Sequence, residues 1–284
     1  MESISPYSQF IRFVNTYSIW VALGSYSTYL FFCKIFSSSP NYVIALGLAL
    51  GVWFIYTLDH LLDGIKLKDG AVTIRHRVHF DHRMYIKRLL IVVALILMAL
   101  GYWVPAGYYS FIALLAALTL FHFVINYLVP QKVKRLLFLK EVFIAFVVSI
   151  GLATSATMGD GMTNASENTI PFWILLFINL GNIILFSYFD READHRSKTL
   201  SIAGLYSDKT LKRIIYLCLL VSIGLGIWDV FNEKIALSSF SIFLLMQITL
   251  LVIAVFSEKF KTNDLYRFWG DFIYVYPLFA LPFL

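Results

Sequence analysis

The chain is built from long apolar runs that have no polar face. The stretch 89–100, continuing to Trp103, is one: no side of it could be turned toward water. In lipid, such a run satisfies its backbone polar groups only as a helix. About 20 residues are needed to cross the hydrocarbon core. Runs of this kind are expected at 13–33, 41–58, 86–104, 106–129, 138–157, 171–189, 211–230, 236–256 and 267–284. Pro40, Pro105, Pro130 and Pro171 lie between runs or at their edges. The pattern predicts an all-α fold, a polytopic membrane bundle of about nine transmembrane helices.

Composition agrees. Of 284 residues, 60% are hydrophobic and 14% charged, too few polar groups to clothe a soluble domain of this length. Aromatic residues make up 17%, which suits a chain with two membrane interfaces. The stretch MESISPYSQFIRF lacks a basic segment followed by a short apolar core and cleavage site, so the first helix is expected to direct insertion. Cys33 and Cys218 fall in or beside apolar runs and read as packing residues.

The net charge of +6 does not point to nucleic acid, because the basic residues report orientation. Connections two, four, six and eight hold twenty Lys and Arg, whereas the odd connections hold Lys34 and Lys234. Such a bias predicts a multi-pass protein of the cell inner or plasma membrane, with a cytoplasmic N-terminus and an outer C-terminus. The fifth connection, MGDGMTNASENTI, is polar without a basic residue and reads as a flexible outer loop.

Chemistry gathers at the ends of runs two and six, in VWFIYTLDHLLDG and IILFSYFDREADHRSKTLSIAG. Asp59 and Asp63 are four apart, as are Asp190 and Asp194. That spacing stacks two carboxylates on one side of a helix, one turn apart. Like charges so placed repel by roughly a few tenths of a kcal/mol, and more where water is scarce. A shared divalent cation would offset this, and oxygen ligands point to Mg²⁺. Solvated acids at helix ends are the plainer alternative; two copies on one predicted side weigh against it. Arg75 follows the first pair and Lys198 the second, a fork and a point charge suited to phosphate oxygens.

These residues resemble the UbiA-type intramembrane prenyltransferase superfamily, which has nine helices and two aspartate-rich motifs after helices two and six. Asp190-Arg-Glu-Ala-Asp194, followed by Lys198-Thr-Leu-Ser-Ile-Ala-Gly204, is similar to the second motif. Thr73-Ile-Arg75 is similar to the Thr-x-Arg-Pro that follows the first, with His76 in place of proline. The first motif departs: Ile55 and Tyr56 stand where the superfamily has Asn-Asp.

The resemblance implies that 1–284 is a single UbiA-like transmembrane domain. It also implies an enzyme, a prenyltransferase moving a prenyl group from a prenyl diphosphate to a lipid-soluble, aromatic acceptor within the membrane. Asp59, Asp63, Asp190 and Asp194 would be the catalytic, Mg²⁺-holding set. Arg75, Lys198, Asn182 and Tyr56 would contact substrate. A cyclase-like enzyme, which uses the same ionisation, is one alternative; a non-catalytic prenyl-lipid-binding relative is another, raised by the altered first motif. A transporter ranks last, since the ionisable residues lie at helix ends rather than midway.

Other polar residues have two readings. His76, His79 and His82, spaced by three, suit either a transition-metal site or a basic interfacial helix, and the second is favoured. His122 reads as a packed residue. Asn126, Asn179 and Asn182 lie inside apolar runs, where an amide either lines a cavity or bridges helices.

Overall fold

The computed structural model describes residues 6–68, 73–128, 140–158, 168–197 and 201–283. The fifth connection's centre and Lys198 lie outside the described residues. Among the described residues there is no strand. The helices are α1 (Pro6–Thr16), α2 (Ile19–Ile35), α3 (Tyr42–Leu67), α4 (Ile74–Asp81), α5 (Arg83–Gly101), α6 (Tyr109–Leu128), α7 (Lys140–Thr157), α8 (Ile170–Arg196), α9 (Asp208–Phe231), α10 (Leu237–Val255), α11 (Ser257–Lys261), α12 (Leu265–Phe272) and α13 (Tyr276–Ala280). Seven of them, α3 and α5 to α10, are long and apolar enough to cross a membrane. The chain is thus an integral, multi-pass membrane protein by length and composition of its helices. Apolar α2 has 17 residues.

The two outermost runs are not continuous. The first, expected at 13–33, breaks at Ser18, whose φ of 52° lies in the left-handed region. The Tyr17 carbonyl beside it accepts a hydrogen bond from Trp53 Nε1 at 2.9 Å. α1 is therefore separate, with Tyr7, Phe10 and Phe13 exposed and Ile11 and Val14 packed on Phe268. The last run, expected at 267–284, divides into α12, a 3₁₀ turn at Ile273–Val275, α13 and a second 3₁₀ turn at Leu281–Phe283. Pro277 has no N–H to continue an α-helical ladder.

α3 and α8 run past their apolar sequence. The apolar segments stop at 58 and 189, and the helices continue through the aspartates, as the spacing of four requires, to Leu67 and Arg196. The two acid pairs are therefore the last turns of long helices.

The core lies around α8, which packs on α7, α9 and α10. α7 turns small residues inward (Ala145, Ser149, Gly151, Ala153, Ser155 and Ala156), which lets backbones approach closely. Buried amides find partners across helices: Asn179 Nδ2 donates to Ser149 Oγ at 2.7 Å, and Gln247 Nε2 to Ser222 Oγ at 2.6 Å. α3, α5 and α6 are less buried, and large apolar side chains such as Ile91, Leu95 and Leu120 face outward.

The C-terminal segment docks on this core through α12. Asn182 Nδ2 donates to the Gly270 carbonyl at 3.1 Å. A Cβ at Gly270 would lie 2.5 Å from the Phe186 ring and 2.8 Å from Asn182 Oδ1. Gly270→Ala is expected to lower stability by about 1–3 kcal/mol through overpacking. Thermal unfolding in detergent measures this, and an unchanged melting temperature would show that α12 is free to shift.

Candidate active site

The site is assembled at the end of the bundle where α3, α6 and α8 carry their polar turns. On α3, Asp59 and Asp63 share one partner. Tyr127, at the end of α6, places its hydroxyl 2.9 Å from Asp59 Oδ1 and 3.1 Å from Asp63 Oδ1. A phenol has one proton to donate, so it satisfies one carboxylate while the other oxygen faces it as a second acceptor. A further proton or a cation would complete the trio. Lys140, the first residue of α7, is within electrostatic reach of both Asp63 and Asp194.

α4 is pressed against α3 where Gly64 leaves room. A Cβ at Gly64 would lie 2.6 Å from the His76 carbonyl oxygen and 3.3 Å from Phe80 N. This contact places the adjacent residues Arg75 and His76 between the two acid pairs. His76 Nε2 lies 3.9 Å from Asp63 Oδ2. Arg75 Nη2 donates to Asp190 Oδ2 at 3.0 Å. His79 holds the turn, its Nδ1–H donating to the Arg75 carbonyl at 2.8 Å. His60 on α3 packs its ring 5.7 Å from that of His76 and 5.3 Å from that of His79.

Asp190 is the most heavily engaged acid. Besides Arg75, Arg267 Nη2 donates to Asp190 Oδ2, and the Tyr266 hydroxyl donates to Oδ1 at 2.6 Å. Tyr266 stacks on Phe189 at 4.2 Å, and the Arg267 guanidinium lies 4.6 Å above the Phe186 ring. Beside this cluster opens a cavity of about 350 Å³ lined by Arg75, Asp190, Tyr266 and Arg267, with Arg12 and Asn15 from α1. A larger one, about 530 Å³, lies on the far side of the α8 end; none of the four aspartates lines it, so we take the smaller as the candidate site.

No family model matches the chain, and no curated protein sequence does. The structure is similar to the apo structure of a UbiA homolog from Aeropyrum pernix K1, with a TM-score of 0.67 over 93% of this chain and 97% of that one. The chain has a UbiA-type fold. At 14% identity the likeness is one of fold alone.

In this UbiA-type fold the predicted site residues divide. Asp59, Asp63, Arg75 and Asp190 are linked through α4 as described. Tyr56 lies one turn before His60, within electrostatic reach of Asp59, Arg267 and Asp271. Asp194 has Lys140 and Arg75 in electrostatic reach and makes none of the contacts of Asp190. Asn182 is buried and bridges α8 to the C-terminal segment through Gly270. Lys198 lies outside the described residues. Sequence reasoning missed Tyr127, Tyr266 and Arg267. The available signal was a charge at the head of the last apolar run.

The histidines do not form the basic interfacial helix favoured from sequence. α4 ends at Asp81, His79 is buried against α3, and His82 is exposed in the break before α5. Among the described residues, no three His, Cys, Asp or Glu side chains stand together as a metal-holding group. The fit to Mg²⁺ is therefore partial. Asp59 and Asp63 supply hard oxygens that suit it, whereas Asp190 is already neutralised by two guanidinium groups.

Removing the charge of Asp190 would leave two buried arginines on a neutral amide. Asp190→Asn is expected to cost about 3–5 kcal/mol. Denaturant or thermal unfolding in detergent reads the loss, and a change below about 1 kcal/mol would mean the cluster is well solvated. A second expectation concerns pH. Burial pushes His79 below its ordinary value of 6.5, an effect its bond to the Arg75 carbonyl partly opposes. The unfolded chain then binds a proton that the folded chain resists, so stability falls as pH drops below about 6.5 until the lowered value is passed. His79→Gln, which keeps a donor without the titration, should flatten that part of a stability–pH curve; an identical slope would exclude His79 as its source.

Proposed function

We propose that this protein is a membrane-embedded prenyltransferase, moving a prenyl group from a prenyl diphosphate to a lipid-soluble acceptor, an aromatic one in the first instance. The observation that carries this reading is the meeting of the Asp59–Asp63 and Asp190 helix ends on Arg75 and His76, in a UbiA-type fold. The basic end of the bundle, and with it the site, would face the cytoplasm.

The chain's own residues would act as follows. The diphosphate enters the polar cavity, where Arg75 and Arg267 neutralise its oxygens, with Lys198 adding a further cation. Mg²⁺ held by Asp59 and Asp63 would supply additional positive charge to the phosphate oxygens. The allylic C–O bond breaks, its electron pair leaving with the diphosphate, and the prenyl carbon becomes electron-poor. Cations aimed at the departing oxygens lower this barrier because their interaction strengthens as charge develops there. Aromatic faces near the bundle end, such as Tyr56, shield the carbocation. The acceptor's electron pair forms the new carbon–carbon bond and its proton is lost.

A specific observation favours a second reading. Ile55 and Tyr56 occupy the Asn-Asp positions of the first motif, and Asp190 has three partners from the chain itself. A relative that binds a prenyl lipid without turnover, or one that cyclises it, would fit these features.

Purified protein given allylic prenyl diphosphates of short and long chain tests the two. The enzyme reading expects diphosphate release that requires Mg²⁺ and falls about 100-fold or more in Asp59→Asn, on the scale of losing a group that stabilises developing charge. Saturable binding without release from any donor would replace it with the binding reading.

A further inference from the structure

One acid of the C-terminal segment has no part in the chemistry so far. Asp271 follows Arg267 by four residues on α12, so it stands about one turn, ~5.4 Å, further along the same side of the helix. Tyr56 and Tyr274 are within electrostatic reach of it. Tyr56 precedes Asp59 by three residues on α3. Two ladders thus run side by side into the bundle: Asp59 and Arg267 form the outer rung, Tyr56 and Asp271 the inner one. Asp271 is 9% exposed and, among the described residues, makes no hydrogen bond and no ion pair. The other acids buried to this degree are both engaged: Glu141 accepts from Ile202 N at 2.9 Å, and Asp229 from Asn168 Nδ2 at 2.9 Å. A buried carboxyl with no donor aimed at it has an unmet demand for hydrogen bonds.

The backbone on both sides of Asp271 is fixed. Before it, Gly270 lies against Phe186 and Asn182, too close for a Cβ. After it, Tyr274 lies on α2: a Cβ at Gly24 would be 2.6 Å from Tyr274 Cβ, and Thr28 Oγ1 donates to the Tyr274 carbonyl at 3.4 Å. The Tyr274 hydroxyl accepts from Asn182 Nδ2 at 3.5 Å, which leaves its own proton for another partner. Arg267 and Arg75 are within electrostatic reach of Asp271 and oppose the cost of burying its charge. A carboxylate and two phenols so held are preorganised for a small polar group entering from the apolar bundle.

We propose that Asp271, with the Tyr56 and Tyr274 hydroxyls beside it, receives the hydroxyl group of an uncharged aromatic acceptor and takes its proton during transfer. This role rests on the prenyl-transfer reading and names the acceptor's class: a phenol-like O–H donor, not a ring bearing a carboxylate, which the charge of Asp271 repels. One turn between the rungs leaves room for the reacting carbon between the departing oxygen and the attacking ring. A ring carbon beside the hydroxyl-bearing one attacks the prenyl carbon. As its electron pair forms the new carbon–carbon bond, the hydroxyl proton passes to Asp271 and the acceptor becomes a neutral dienone. The ring C–H proton then leaves to water, and Asp271 returns its proton to the oxygen. That restores the aromatic ring and the carboxylate; the diphosphate has left with the electron pair of the broken C–O bond, and one proton is released.

The test is equilibrium binding of three probes to the full chain in detergent, corrected for partitioning into empty micelles: 1-naphthol, 1-methoxynaphthalene and 1-hydroxy-2-naphthoate. 1-Naphthol is expected to bind about tenfold or more tightly than either of the others, since a site built for a hydroxyl rejects the analogue without one. Asp271→Asn should shrink its preference over the methyl ether and raise affinity for the carboxylate about tenfold, a gain in binding that a damaged fold does not produce. Melting curves confirm folding; if Asp271→Asn does not fold, Tyr56→Phe, which removes a hydroxyl of the same group, carries the comparison through the preference over the methyl ether. Equal binding of 1-naphthol and its methyl ether by the unaltered protein overturns the site, as do preferences that the variant leaves unchanged. Diphosphate release from an allylic donor decides the enzyme reading separately. Where release occurs, transfer to 1-naphthol is expected to fall about 100-fold or more in Asp271→Asn, the scale of losing a general base. Transfer that this variant leaves unchanged overturns the proton step and leaves the prenyl-transfer reading standing. Selective binding with no release from any donor overturns the proton step together with the enzyme reading and supports the recognition of the hydroxyl alone.

Discussion

The architecture of the site depends on one carboxylate. Asp190 accepts from Arg75 on α4, and from Tyr266 and Arg267 on α12, two segments far apart in sequence. Neither segment has a long apolar helix of its own to anchor it; α4 and α12 have eight residues each. Helices this short are marginal alone, and their positions come from tertiary contacts. Asp190, projecting from the most buried helix of the bundle, supplies one such contact to both. Its charge is tolerable because two guanidinium groups and a phenol replace the water it lost.

The same constraint shapes the opposite pair. Asp59 and Asp63 stand one turn apart with no guanidinium between them, and share a single phenol from α6. One end of the site thus holds its carboxylate in direct guanidinium contact, whereas the other has Lys140 only within electrostatic reach. This asymmetry separates the two acid pairs, which look equivalent as a repeated Asp-x-x-x-Asp. Gly64 links the halves: without a side chain there, α4 can lie directly on α3 and present Arg75 to one pair and His76 to the other.

How much of this was legible beforehand depended on range. Apolar runs are local, and lipid forces each into a helix, so the bundle and most of its spans could be read directly. The acid pairs were legible because a spacing of four has one geometric meaning in a helix. The break at Ser18 and the segmentation after Phe272 were not, since both follow from contacts with distant elements, the Trp53 bond to Tyr17 among them. Asn182 shows the limit well: an amide in an apolar run must find a partner, but whether that partner is a ligand or the Gly270 carbonyl is a question of packing.

Sequence by itself determined that this chain lives in a membrane, where its long spans run, and which helix ends carry opposed acids, because hydropathy and helical period act over neighbouring residues. Tertiary structure alone decided how those acids are used. It brought Arg267 and Tyr266 from the far end of the chain onto Asp190 and Tyr127 onto Asp59 and Asp63. Charge compensation acts over a few ångströms of space, and sequence separation does not record that distance.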